Sequence, residues 1–121
     1  MSDYREPPIT ISKEVFRKVG YQLIDTLSDF FVTIRTRPVT PGESPKQLQE
    51  LLGQAPLPEN GTPIDELLAK ASSLLLDHSL FNGHPKFLGY ITSSPAPIGA
   101  LAELLSAAVN ANVGAQILSP I

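Results

Sequence analysis

The sequence predicts a mainly α-helical chain, and three observations carry that prediction. Apolar residues recur at three- and four-residue spacing over 13–35 and again over 63–77, the period of one helix face. The stretches "ESPKQ" and "GTPID" each set a capping residue before a proline, which is how helices begin. Last, "TSSPAP" runs into an apolar stretch over 98–109 that is rich in small residues and carries Glu103 as its only charge.

The first helix is expected over 13–35, with Ser12 as its N-cap. Phe16, Gly20, Leu23, Leu27, Phe30 or Phe31, and Ile34 make its apolar stripe, while Lys13, Arg17, Lys18, Asp25 and Asp29 occupy other faces. Arg35 and Arg37 suit the negative end of its dipole. "RPVTPGESP" then breaks the chain with three prolines and a glycine.

A short second helix is expected over 45–52. Ser44 caps it, Pro45 takes the first helical position, and Gln47 completes a capping box. Gly53 ends it, and "QAPLPENGT" is a second linker. The third helix is expected over 63–77, opened by Thr62 as N-cap and Pro63. Its apolar face is Ile64, Leu67, Leu68, Ala71, Leu74 and Leu75, and "FNGHP" closes it. "KFLGYI" then reads as a short extended aromatic segment, and Pro97 as the opening of a fourth helix over 98–109.

Composition narrows the function classes. The 121 residues contain no cysteine, so disulfides, thiolate nucleophiles and zinc–thiolate sites are excluded. A net charge of −3 gives no footprint for nucleic acid or an anionic membrane. "MSDYREPPITIS" has no apolar core of the secretory kind, so a cytoplasmic location is expected. His78 and His84 stand six residues apart across a helix end, poor geometry for a metal, and none is expected.

Charge is unevenly spread. Eleven of the twelve acidic residues and all nine basic ones precede residue 87. The fourth helix is too short to span a membrane, and Glu103 interrupts it. Six large aliphatic residues lie from Ile98 to Val113; at roughly 1.5–3 kcal/mol each, about 9–18 kcal/mol of transfer energy is at stake as an upper bound. That is comparable to the whole stability of a domain. The expectation is that protein outside these residues covers this helix.

"HPKFLGYITSSPAPIGALAELLSAAVNANVGAQILSPI" resembles the start of the pyridoxal-phosphate-dependent group II amino-acid decarboxylases, among them the aromatic-amino-acid, histidine, glutamate and tyrosine enzymes. "FRKVGYQLIDTLSDFF", "RPVTPG" and "PIDELLAKASSLLLDHSLFNGHP" are similar to that family's N-terminal helices. The resemblance implies a full-length α/β enzyme of the type I aminotransferase-like fold. It would be a cytoplasmic homodimer that releases the α-carboxylate of an L-amino acid as carbon dioxide. Residues 1–83 would be the helical dimerisation segment. Residues 84–121 would be the extended segment, substrate-side loop and first apolar helix of a large domain that continues beyond "LSPI". The Schiff-base lysine, the ring-stacking histidine, the aspartate on the pyridine nitrogen and the phosphate loop would all lie further on. No catalytic or cofactor-binding residue is therefore expected in this chain.

The resemblance places Tyr90, Ile91, Thr92 and Ser93 in the loop that flanks the substrate. A phenol and two hydroxyls can orient a substrate, and Ile91 can give apolar contact. Asn112 matches a segment that reaches the neighbouring subunit's site. Gly114 stands where some members carry an aromatic residue that packs on the substrate. Without the resemblance, Tyr90 is an interface or core aromatic, and Thr92, Ser93 and Ser94 are a turn and helix-capping cluster. Asn110 and Asn112 are then buried amides, and Asp77 and His78 a solvated helix terminus. Lys13, Lys18, Lys46, Lys70 and Lys86 read as surface residues. Two other functions stay open. One is a same-fold enzyme with a different reaction, either oxidative deamination or decarboxylation of a sulfinic amino acid. The other is a stand-alone helical module that docks its apolar helix on a partner.

Overall fold

A computed structural model of the chain describes residues 9–111 and residue 114. They form four α-helices, α1 (Lys13–Thr33), α2 (Pro45–Leu52), α3 (Ile64–His78) and α4 (Pro97–Val109), with a 3₁₀ turn at Ile34–Thr36. No strand occurs among the described residues. The chain divides into two compact units, Met1–Leu80 and Phe81–Ile121.

In the first unit, α1 starts where Ser12 Oγ accepts the Val15 N–H at 3.2 Å, which satisfies one of the helix's orphan donors. The α-helix stops at Thr33 and tightens into the 3₁₀ turn, so it is slightly shorter than the periodicity suggests. Thr33 Oγ1 donates to the Asp29 carbonyl at 2.7 Å, and Pro38 cannot continue the helix. The buried side chains are Val19, Phe30 and Ile34, with Leu23 and Leu27 half-buried. Phe16 is exposed; the inward stripe begins one turn later than expected, at Val19. Of the two adjacent phenylalanines, Phe30 is the buried one, with Phe31 tilted beside it at 5.9 Å between ring centroids.

The capping box expected at α2 is present. Ser44 Oγ accepts the Gln47 N–H at 3.3 Å, and Gln47 Oε1 accepts the Ser44 N–H at 2.8 Å. Gly53 closes the helix at φ +74, donating to the Gln49 carbonyl at 3.0 Å. None of the residues of α2 is buried, and an eight-residue helix is marginal on propensity alone. Its caps therefore matter more than usual. Ser44→Ala is expected to cost about 1 kcal/mol, read as reduced hydrogen-exchange protection confined to 45–52.

α3 packs on α1. It starts at Ile64 with Pro63 as N-cap, not at Pro63 with Thr62 capping. Pro63 has ψ 137, an extended value that keeps it outside the helix, and its carbonyl accepts the Leu67 N–H at 2.9 Å. Asp65 and Glu66 in the first turn suit the positive end of the dipole. Leu68, Ala71, Leu74 and Leu76 are half-buried, whereas Leu67 and Leu75 are exposed. Lys18 and Asp65 meet across the two helices at 3.9 Å, a surface pair worth little.

At the helix ends one expectation is extended and one corrected. Arg37 serves both helix ends: its Nε donates to Thr33 Oγ1 at 3.4 Å at the end of α1, while its Nη1 donates to the Leu76 carbonyl at 2.8 Å and to Asp77 Oδ1 at 3.2 Å, capping α3 as well. Its guanidinium also lies over the Phe30 ring, 5.4 Å from the centroid. Asp77 and His78 are accordingly not a free solvated terminus. Asp77 also accepts from Ser73 Oγ at 2.9 Å, and His78 Nδ1 meets Glu43 Oε1 at 2.7 Å.

In the second unit, α4 begins with Pro97 at its first position. It ends at Asn110, a left-handed cap (φ 45, ψ 48) whose N–H donates to the Ser106 carbonyl at 2.9 Å. Asparagine tolerates this conformation better than most residues, so Asn110 is an exposed cap and not a buried amide. No residue of α4 is buried. No helix of the described residues is long and apolar enough to cross a membrane.

Candidate functional site

Two consecutive turns lead into the candidate loop. The His84 N–H donates to the Phe81 carbonyl at 3.0 Å, and the Phe87 N–H to the His84 carbonyl at 2.9 Å. The His84 ring is buried, and its Nδ1 accepts the Lys86 N–H at 3.0 Å. An accepting Nδ1 puts the proton of the neutral ring on Nε2, an atom that is buried without a hydrogen-bond partner. His84 thus folds the backbone that precedes the loop.

The chain then passes Phe87 and Gly89. A Cβ on Gly89 would sit 3.3 Å from Phe87 Cζ and 3.4 Å from Cε2, so the glycine lets the ring lie against the backbone. Next comes Tyr90 at φ +56, a left-handed conformation that costs a bulky residue roughly 1–2 kcal/mol. The extended course expected for "KFLGYI" ends in this bend. Leu88, Tyr90 and Ile91 are all exposed here, Tyr90 at 91% and Ile91 at 106%.

Thr92 and Ser93 follow in irregular backbone and are exposed. The capping role open to Thr92, Ser93 and Ser94 is not taken up. The N-cap of α4 is Ala96, which has no side-chain cap bond, and its backbone is extended ahead of Pro97. The structure thus brings Tyr90, Ile91, Thr92 and Ser93 together on one exposed loop, where the phenol and hydroxyls have no part in capping a helix. Asn112, the fifth candidate, lies outside the described residues. Gly114 stands in an exposed turn.

The residues at hand do not fit a cofactor site of their own. Lys13, Lys18, Lys46, Lys70 and Lys86 are all exposed, whereas a lysine that condenses with a carbonyl at neutral pH needs an enclosed, desolvating setting. In the first unit an open cleft between α1 and α3 is lined by Val19, Leu23, Thr26, Leu68 and Leu76; none of the loop residues takes part in it. Sequence reasoning did not name Glu43, and it named Arg37 and His78 without their partners across the fold. Each belongs to a linker or a helix end, where no periodicity marks a partner.

Comparison with known proteins gives a consistent result. The chain is 30% identical to tyrosine decarboxylase 4 of Petroselinum crispum over 104 residues, 86% of this chain and 20% of that protein. It is 31% identical to phenylacetaldehyde synthase of Petunia hybrida over 110 residues, 91% of this chain and 22% of that protein. With the aromatic-L-amino-acid decarboxylase of Bacillus atrophaeus it shares 26% identity over 102 residues, 84% of this chain and 21% of that protein. No family model matches the chain. No solved structure matches it either. The chain spans about a fifth of the length of the curated relatives it resembles. The likeness runs through most of this chain, which over that length resembles the group II amino-acid decarboxylases.

Proposed function

We propose that this chain is the helical and substrate-side part of an enzyme that releases carbon dioxide from an aromatic L-amino acid. The observation that carries the proposal is the match over 84–91% of the chain to proteins named as decarboxylases of tyrosine and of aromatic L-amino acids, and as phenylacetaldehyde synthase. In this reading residues 1–83 make contacts between two copies of the enzyme, and residues 84–121 begin the domain that receives substrate. Exposed apolar residues on α1 and α3, among them Phe16, Val32, Leu67 and Leu75, support a partner surface there. Pyridoxal phosphate would supply the electron sink when bound, held by protein outside these residues.

The part proposed for Tyr90, Thr92 and Ser93 is orientation. Their hydroxyls are free of capping work on α4, and all three residues are exposed. Ile91 offers an apolar wall for the substrate's side chain. A second reading, formation of an aldehyde in place of an amine, is favoured by the Petunia hybrida relative. The product formed from L-phenylalanine or L-tyrosine separates the two.

Incubation of residues 1–121 with pyridoxal phosphate, borohydride reduction and peptide mapping tests the assignment of the cofactor to the rest of the enzyme. Weak labelling spread over the five exposed lysines is expected. A single lysine that saturates at low cofactor concentration would overturn it.

A further inference from the structure

We propose that His84 is the positioning residue for the loop over 90–93: its Nδ1 pins the turn at 84–87 from which that loop departs. The loop's use in orienting substrate rests on the decarboxylase reading; the pin itself does not.

The loop has little of its own to fix its shape. Among the described residues, none from Leu88 to Pro95 makes a hydrogen bond. Yet Tyr90 holds φ +56, and a tyrosine stays in that region only where the structure around it enforces the bend. The downstream end gives no such hold, because the Ala96 N-cap of α4 carries no side-chain bond. The constraint enters from upstream, where only Phe87, Leu88 and Gly89 separate the last turn from the bend. There the Phe87 ring lies so near Gly89 that a Cβ would meet its Cζ at 3.3 Å.

That turn is closed twice. The Phe87 N–H donates to the His84 carbonyl at 2.9 Å, and the Lys86 N–H donates to His84 Nδ1 at 3.0 Å. Pro85, at the second position, supplies the φ that such a turn needs. A side chain that accepts the N–H two residues on is the device of asparagine and aspartate. Histidine imitates it here, since Nδ1 stands as many bonds from Cα as the asparagine Oδ1 does. The ring is also well anchored. His84 is 4% exposed and, with Phe81, is one of the two buried residues among those described in its unit. Its Nε2 is buried without a hydrogen-bond partner, so the polar work of the ring lies at Nδ1.

A ring that only fills space and a ring that pins a turn rank substitutions in opposite order. For filling space, Gln is closer in volume and replaces His better than Asn does. For pinning, Asn is the better replacement, because its acceptor falls at the Nδ1 position and that of Gln lies one bond further on.

Hydrogen exchange read by mass spectrometry decides between them, on the product of the entire open reading frame that encodes residues 1–121. The Lys86 amide is expected to be protected in the parent. His84→Gln and His84→Ala should each lose roughly three- to tenfold of that protection, with faster exchange spreading through 87–93. His84→Asn should keep most of it. Gln ranking at or above Asn, or no loss in Gln and Ala, overturns the pin. Protection of α1 and α3 should be alike in all four proteins; a loss there too marks general packing and overturns it as well. Catalytic efficiency toward the aromatic amino acid that the parent decarboxylates should follow the same order, and efficiency that ignores it overturns the positioning role. A parent that releases no carbon dioxide speaks against the decarboxylase reading, and the exchange order still decides the pin.

Discussion

Residues 1–121 expressed alone are expected to self-associate, and a variant with Ile98→Gln and Leu105→Gln is expected to be far less associated. The cause is α4. Ile98, Leu101, Leu104, Leu105 and Val109 are half to nearly three-quarters exposed, from 50% to 72%, and Glu103 is the helix's only charge. Leaving such side chains in water forfeits part of roughly 1.5–3 kcal/mol each. Several on one helix exceed what a small core can offset, and the first unit buries only Val19, Phe30 and Ile34 among its described residues. Sedimentation velocity at several protein concentrations is the measurement. A monodisperse monomer that unfolds in a sharp cooperative transition would contradict the expectation, and would favour a stand-alone helical module.

In the enzyme proposed above, Tyr90→Phe and Thr92→Val are each expected to lower catalytic efficiency about ten- to hundredfold while the proposed cofactor's visible absorbance stays unchanged. Both side chains sit on the exposed bend after Gly89, and neither caps a helix. Removing a hydrogen bond to a charged substrate costs roughly 1.5–3 kcal/mol, which sets that range. Tyr90→Gly distinguishes the bend from the phenol: it relieves the positive φ and should raise stability while activity falls. Asn112→Ala is expected to act similarly from the opposite subunit. Mixing it with a Tyr90→Phe, Thr92→Val double variant then makes hybrid dimers with one intact site each. Activity that returns on mixing supports a shared site. If subunits exchange and none returns, Asn112 and the Tyr90 loop do not serve opposite chains.

Much of the local structure is legible because it depends on near neighbours in sequence. The box at Ser44 and Gln47 needs residues three apart, and Pro97 at the start of α4 needs only itself. Periodicity locates α1 and α3, but not which edge of each stripe faces inward: Val19 is buried where Phe16 is expected, and Leu67 and Leu75 stay exposed. That depends on how the two helices meet. Arg37 and Glu43 are illegible for the same reason, since their partners on α3 lie 39, 40 and 35 residues away. The bend at Tyr90 is hidden by its neighbour. Glycine is the residue that adopts positive φ at no steric cost, yet here Gly89 makes room for the Phe87 ring and Tyr90 turns. The grouping of Tyr90 to Ser93 as a site comes from family resemblance; composition alone leaves them a turn.

The proposed role of these residues lies within a pyridoxal-phosphate-dependent decarboxylase acting on aromatic amino acids. Its most direct test is release of labelled carbon dioxide from carboxyl-labelled L-tyrosine, L-tryptophan and L-DOPA. The catalyst is the product of the entire open reading frame that encodes residues 1–121, with and without added cofactor. Release that depends on pyridoxal phosphate, from at least one of the three, is the expected result. A folded product that releases none from any of them, with the cofactor present, would contradict the claim.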